Sequence, residues 1–330
     1  MSESTAFLEL LHREGAVRNA DARLTPLTGG VSCEICLVED GAERFVVKRA
    51  LAKLKVKADW FADVSRNRHE WEFIRYVGRF LPEAVPALRH CSEAGNYFAM
   101  EYLGGEFQNW KQLLLAGQAD PERAGQAGNL LAQIHRHSAG DRKAMELFDT
   151  TPNFFQLRIE PYLLATGANH PDLQPLFEAE AKRLEAAREC LVHGDFSPKN
   201  ILLSADRMVL LDCEVAWYGD PAFDLAFMLN HFLLKGLLHT PRDAGLRSMV
   251  ERFWSTYQAV RPVPALEARV SRLLLMLLLA RVDGKSPVEY LEARHQDFVR
   301  RFVRDELSAQ PASVAAVADS WFGRLQQFSK

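Results

Sequence analysis

The stretch Leu191-Val192-His193-Gly194-Asp195-Phe196-Ser197-Pro198-Lys199-Asn200-Ile201-Leu202-Leu203, with Leu210-Leu211-Asp212-Cys213-Glu214 shortly after it, decides how this chain of 330 residues is read. Asp195 and Asn200 stand five residues apart on one polar loop. Two short strand-like runs follow, Asn200 to Leu203 and Met208 to Leu211, which puts Asp212 on the loop after a small hairpin. Phosphoryl transfer from a nucleotide asks few groups of a protein. One carboxylate must orient the attacking hydroxyl and accept its proton, and oxygen ligands must hold Mg²⁺ against the phosphates. An Asp and an Asn on one loop can supply the base and one ligand, and an Asp on the next loop can meet the same ion.

His-Gly-Asp-Phe-Ser-Pro-Lys-Asn followed by Leu-Leu-Asp-Cys-Glu resembles the aminoglycoside phosphotransferase and choline kinase family, a distant branch of the protein-kinase-like superfamily. The resemblance implies Asp195 as catalytic base, Asn200 and Asp212 as Mg²⁺ ligands, and a nucleotide donor, ATP or GTP, of which ATP is expected. Glu214 either assists the metal through water or anchors the loop. The implied architecture is an α+β, protein-kinase-like two-lobed fold. Residues 1–103 form a small nucleotide-binding lobe, an antiparallel sheet with one main helix. Residues 104–330 form a larger, mostly helical lobe for catalysis and acceptor binding.

Other residues take roles from the same resemblance. Thr28-Gly29-Gly30-Val31-Ser32 resembles the nucleotide loop, where a tight glycine turn lets backbone N–H groups approach phosphate, so Gly29, Gly30 and Ser32 become cofactor contacts. Lys48 ends the next strand, as the phosphate-gripping lysine does. Glu70 on the following helix is its expected ion-pair partner, with Glu72 the competing choice, about 200° around the helix. Met100-Glu101-Tyr102-Leu103-Gly104-Gly105 resembles the hinge, with adenine bonding to main chain near Glu101 and Leu103 and Met100 packing behind it. Asp224 matches a carboxylate that holds the catalytic-loop backbone, and His193 is expected to help from within the loop. His135 is read as packed and hydrogen-bonded, His137 as exposed.

Hydrophobic patterning agrees with two lobes. A helix at Thr5 to Glu14, a hairpin turning at residues 39–42, a helix over 66–80 and a strand pair near 87–91 and 97–102 make the first hundred residues α+β. Beyond Gly104-Gly105, amphipathic stretches at about 121–138, 173–189, 244–260, 265–282 and 286–306 predict helices. Cys33 and Cys36 sit on a predicted strand, where residues three apart face opposite ways, so a shared metal is disfavoured.

Composition excludes several classes. A formal net charge of −3 gives no global field for nucleic acid. Five scattered cysteines suggest thiols in a reducing compartment, and the charged N-terminal stretch lacks a signal pattern. The longest apolar run, Leu273 to Ala280, is far short of the roughly 20 residues of a membrane span. A cytoplasmic enzyme without membrane or nucleic-acid partners is expected, its oligomeric state left open.

The substrate is expected to be small. Ser197 stands where serine/threonine protein kinases usually carry a lysine, the basic residue being displaced to Lys199. Asp212-Cys213-Glu214 also runs directly into Val215-Ala216-Trp217-Tyr218-Gly219-Asp220-Pro221, leaving no room for an activation loop. Residues 236–330 hold fourteen Lys/Arg and ten Asp/Glu. That balance argues against a polycationic antibiotic and for a neutral, zwitterionic or acidic metabolite. Acceptor contacts are sought at Arg281, Asp283 and Lys285, on a polar turn between helical runs. The expected activity is transfer of the γ-phosphate of ATP to a hydroxyl of a sugar, amino alcohol or similar metabolite. The alternatives are an aminoglycoside-type kinase, a protein kinase and a non-catalytic nucleotide-binding module.

Overall fold

The computed structural model describes residues 3–27, 33–50 and 66–328. Gly29, Gly30 and Ser32 of the expected nucleotide loop lie outside the described residues. The chain divides into two compact units, Met1–Phe107 with Leu203–Glu214, and Gln108–Leu202 with Val215–Lys330.

The first unit is a five-stranded antiparallel sheet with a helix on each face. Its elements are α1 (Glu3–Arg13), β1 (Arg23–Pro26), β2 (Cys33–Asp40), β3 (Glu43–Ala50), α2 (Arg66–Val77), β4 (Leu88–Ser92) and β5 (Tyr97–Glu101), with strand order β1-β2-β3-β5-β4. Side chains alternate along a strand. Cys36 and Val38 on β2, Phe45 and Val47 on β3, and Tyr97 and Ala99 on β5 therefore share one face, which Phe7 and Leu11 of α1 cover. The opposite parity faces α2, where Trp71 meets Phe98 edge-on at 6.2 Å. Lys48 follows Val47, pairs in register with Ile35 and Phe98, and so projects toward α2. Cys33 and Cys36 do diverge: Cys36 joins the α1-side core, while the Cys33 thiol lies 3.7 Å from a Glu214 oxygen.

A cut at 103/104 does not describe this partition, because Leu203–Glu214 packs with the first unit. Arg207 reaches Glu83 at 3.0 Å and Glu101 at 2.7 Å, and Glu214 meets Arg66 at 3.1 Å. These bonds join residues more than a hundred positions apart, which local patterning does not encode.

The second unit is helical. Its helices are α3 (Trp110–Leu115), α4 (Pro121–Ser138), α5 (Arg142–Leu147), α6 (Thr151–Phe154), α7 (Ala165–Asn169), α8 (Gln174–Ala186), α9 (Ala222–His239), α10 (Ala244–Val260), α11 (Leu266–Asp283), α12 (Ala293–Ala309) and α13 (Val314–Phe328). Asp120 caps α4 by accepting from the Glu122 and Arg123 N–H groups. The α4–α10 contact is close enough that a Cβ on Gly128 would lie 2.3 Å from the Phe253 carbonyl oxygen. The first four stretches predicted as helices appear as α4, α8, α10 and α11. The fifth begins late, at Ala293, because Pro287 opens a loop and Glu292 caps the helix, its own N–H bonded to His295 Nδ1.

Two long helices escaped the periodicity reading, besides the short α3, α5, α6 and α7. Along α9 the residues from Ala222 to Leu237 are all buried, so the helix AFDLAFMLNHFLLKGLLH is covered on every side and shows no amphipathic stripe. The C-terminal helix α13 packs Trp321 against Phe298 and Phe302 of α12, and Trp321 Nε1 donates to the Leu233 carbonyl. Residues Phe155–Leu164 form a π-helical segment around Pro161, whose missing N–H removes an ordinary helical bond. Among the described residues no helix is long and apolar enough to cross a membrane.

Candidate active site

The candidate residues fall into two sets, one in each unit. Lys48, Glu70, Met100, Glu101, Leu103 and Asp212 belong to the first, and Asp195 and Asn200 to the second.

In the first unit Lys48 is the centre of a buried charge cluster. Its ammonium lies 2.6 Å from Glu70 and 2.7 Å from Asp212. Glu72 instead pairs with Arg75 at 2.5 Å, so the helical rotation between the two glutamates selects Glu70. Asn67, one turn earlier on α2, donates to the Lys48 and Asn96 carbonyls and ties the helix to β3 and to the β4–β5 turn. Burial draws the Lys48 amine down, but Asp212 and Glu70 outweigh it and hold the amine well above its ordinary range. Burial pushes the Glu70 carboxyl up, and nearby Asp212 and Glu214 add to this against the pull of Lys48.

Asp212 adopts a left-handed backbone, φ 60°, uncommon for a residue with a side chain and a form of strain found at functional sites. Glu70, Asp212 and Glu214 each offer an oxygen, all within 4.8 Å of one another. An all-oxygen, acidic donor set suits Mg²⁺. At the end of β5, Met100 is buried and the Glu101 N–H donates to the Ala87 carbonyl at 2.8 Å. Leu103 lies just beyond, half-buried.

Replacing Lys48 removes the only cation in contact with Glu70 among the described residues. The sign of its effect on stability follows from Glu70. A carboxyl whose folded pKa exceeds its unfolded value disfavours the charged form in the fold, so stability falls as pH rises from 4.5 through the folded value. Without Lys48 that value rises further. Lys48→Met should lose more melting temperature relative to wild type at pH 8 than at pH 6.

In the second unit the loop after the short strand Cys190–Val192 holds Asp195 rigidly. Gly194 has φ +76°, and a Cβ there would sit 2.4 Å from the Val215 carbonyl oxygen, so glycine is required. The Asp224 carboxylate, fully buried at the start of α9, accepts the N–H of His193 at 2.7 Å and of Gly194 at 2.9 Å. His135 links Asp224 to Tyr257, its ring nitrogens 3.4 Å and 3.0 Å from them, and His137 is exposed. The Asp195 N–H donates to His193 Nδ1, and Asn200 Nδ2 donates to the Asp195 carbonyl at 3.0 Å, closing the loop and leaving the Asn200 amide oxygen turned elsewhere.

Two cations grip the Asp195 carboxylate, Lys199 at 3.0 Å and Arg158 at 3.1 Å. Arg158 also donates to the Gly194 and Leu157 carbonyls. Burial pushes the Asp195 carboxyl up, yet Lys199 and Arg158 outweigh it and hold the group well below the usual carboxylate range. The stability this confers is complete above the ordinary value of 3.8 and is lost as pH falls toward the lower folded value. Lys199→Met should lift the carboxyl toward its ordinary value, moving the acid limb of the kcat/KM profile upward. An unchanged profile would remove Lys199 from this role.

Arg158 had no sequence signal, since it belongs to no motif and lies in the π-helical segment. Lys199 was visible as a displaced basic residue, though its contact with Asp195 was not. Arg281, Asp283 and Lys285 are all in the second unit. Asp283 is bound by His170 at 2.8 Å and Arg300 at 2.7 Å, Lys285 pairs with Glu160, and Arg281 Nη1 donates to Tyr162 Oη and to Ser286. Asp283 thus pins the α7 end to α12, which makes it structural in this arrangement.

The chain is 29% identical over 259 residues to a methylthioribose kinase of Pectobacterium carotovorum, covering 67% of this chain and 64% of that one. A methylthioribose kinase of Yersinia enterocolitica is 30% identical over 235 residues, covering 62% and 58%. The chain therefore spans less than two thirds of the length of these curated relatives. In three dimensions it resembles a Plasmodium vivax ethanolamine kinase, with TM-score 0.54, 14% identity and coverage of 94% and 89%. It also resembles an aminoglycoside phosphotransferase from Alicyclobacillus acidocaldarius, with TM-score 0.53, 17% identity and coverage of 95% and 94%. These likenesses show the protein-kinase-like fold. Residues 23–263, well over half the chain, match the family model described as "Phosphotransferase enzyme family", so this chain, with its sheet-borne lysine cluster and its cation-gripped aspartate loop, belongs to that family.

Proposed function

We propose that this protein is an ATP-dependent kinase that transfers the γ-phosphate to a hydroxyl of a small-molecule metabolite. The observation that carries the reading is the Asp195 loop: a buried carboxylate held ionised by Lys199 and Arg158 on a backbone fixed by Asp224 and Gly194. Asp195 is the group that orients the acceptor hydroxyl and takes its proton. In a loose phosphoryl-transfer transition state the proton moves late, so a weakly basic carboxylate suffices. The acceptor O–H bond breaks, its oxygen bonds to the γ-phosphorus, and the bond from that phosphorus to its bridging oxygen breaks to release ADP.

Lys48, held by Glu70, binds the nucleotide phosphates. Gly29, Gly30 and Ser32 serve as the phosphate loop. Met100 packs against adenine, with main-chain contacts from Leu103 and from the Glu101 carbonyl, since the Glu101 N–H is already bonded to Ala87. Asn200 and Asp212 are the residues to hold Mg²⁺, with Glu214 beside Asp212 to orient it. When bound, the ion supplies charge neutralisation at the phosphates. The absence of an activation loop favours a small acceptor over a polypeptide, and no membrane or nucleic-acid partner is required.

The test is to incubate purified protein with Mg-ATP and a panel of sugars, amino alcohols and amino acids, including methylthioribose, the acceptor in the name of its curated relatives. ADP should form with at least one acceptor and depend on Asp195. If neither an acceptor nor water ever yields ADP, the reading is wrong.

A further inference from the structure

Four polar atoms in the second unit are buried without a hydrogen-bond partner in one neighbourhood: His231 Nδ1, Lys235 Nζ, Arg281 Nε and Tyr290 Oη. Lys235 is fully buried, and its ammonium lies 5.3 Å from the centroid of the Tyr290 ring. Phe227, His231 and Lys235 recur every four residues along α9 and so share one helix face. That face leads back to Asp195. Arg281 Nη1 donates to Tyr162 Oη at 3.1 Å, the Arg158 guanidinium lies 5.9 Å from the Tyr162 ring centroid and 6.0 Å from that of Phe227, and Arg158 holds Asp195.

The charge here is one-sided. Burial first, then Lys111 and Arg281, push the Lys235 amine down to about 7, while Glu289, which opposes them, is bonded to Lys111. His231 is driven well below its ordinary value by burial, then by Lys235 and Arg281 with Lys199 adding to them, against Asp195. A buried ammonium with no counter-charge destabilises a fold. Basic groups gathered where the nearby carboxylates, Glu289 and Asp195, are already bonded to other cations are what a bound anion would satisfy.

We propose that the acceptor is a hydroxylated anion, its carboxylate or phosphate held by Lys235, Arg281 and Tyr290, its hydroxyl turned toward Asp195. This rests on the small-molecule kinase reading and narrows its substrate class. The transfer is balanced as before: the hydroxyl proton passes to Asp195, its oxygen bonds to the γ-phosphorus of ATP, and ADP leaves. Binding of the anion draws the Lys235 amine back up toward its ordinary range. The neutral acceptor of the curated relatives would leave the cluster without a counter-charge.

The experiment uses the full chain with Mg-ATP and matched acceptors: glycerate, glycerol 3-phosphate and glycerol, then gluconate, ribose 5-phosphate and ribose, with methylthioribose among the neutral members. An anionic member should exceed its neutral partner about tenfold or more in kcat/KM, and the carboxylate and phosphate arms identify the headgroup. Lys235→Met should raise KM for that anion about tenfold or more and move KM for ATP far less. Preference for neutral or cationic acceptors, or an unchanged anion KM in Lys235→Met, overturns the proposal. If nothing is phosphorylated, the kinase reading fails instead, and the anion site is judged by melting temperature in saturating Mg-ADP. Glycerate or inorganic phosphate should then stabilise wild type and not Lys235→Met, and equal shifts in both proteins overturn the site. Lys235→Met removes an unpaired buried charge, so it should fold at least as stably as wild type.

Discussion

Asp195→Asn is expected to lower kcat about 10²–10⁴-fold, the range for removal of a positioned base. The amide keeps the shape of the carboxylate but cannot take up the hydroxyl proton, and it loses the ionic half of its bonds to Lys199 and Arg158. The structural damage should be limited. Lys199 is half exposed and can turn to water, and Arg158 keeps its bonds to the Gly194 and Leu157 carbonyls. KM for ATP should change little, because Lys48 and Glu70, the residues proposed for the nucleotide, belong to the other unit. Steady-state kinetics with any acceptor that the wild type uses gives the answer. Retention of a tenth or more of wild-type kcat would mean that Asp195 is not the base.

The second large effect should come from Asp224→Ala, and it should be structural first. The carboxylate accepts two backbone N–H bonds from His193 and Gly194 and meets His135, all at fully or almost fully buried positions. Alanine leaves both N–H groups without an acceptor. An orphaned buried donor costs about 1–3 kcal/mol, so the pair amounts to about 2–6 kcal/mol. That is a large part of the roughly 5–15 kcal/mol that stabilises a typical domain. A melting temperature lower by about 10 °C or more is expected, together with loss of activity as the Asp195 loop relaxes. Asp224→Asn should fall between, since it keeps one accepting oxygen and sets an amide NH₂ against the other donor. If Asp224→Ala melts within about 2 °C of wild type, the buried carboxylate is not what holds the loop.

These two effects separate what could be read along the chain from what could not. The Asp195 loop was legible because its groups are close in sequence: Asp195, Lys199 and Asn200 occupy six positions of one turn. Strand alternation likewise put Lys48 on the opposite face from Val47, and helix rotation distinguished Glu70 from Glu72. The helix α9 was not legible, because full burial erases the amphipathic period by which a surface helix is recognised. Arg158 was hidden for a related reason. It comes from a π-helical segment with no motif of its own and reaches Asp195 across 37 positions of chain.

By itself the sequence determined the family, the two-lobed fold class and the acidic and basic residues proposed for phosphoryl transfer, since each depends on short-range spacing and alternation. Tertiary packing alone decided which unit carries Leu203–Glu214, and which cations hold Asp195 ionised. It also decided that Lys235, His231 and Arg281 gather where the nearby carboxylates, Glu289 and Asp195, are bonded to other cations. The reason is physical: Coulombic balance and burial depend on distance through space, and residues far apart along a chain acquire that distance only when it folds.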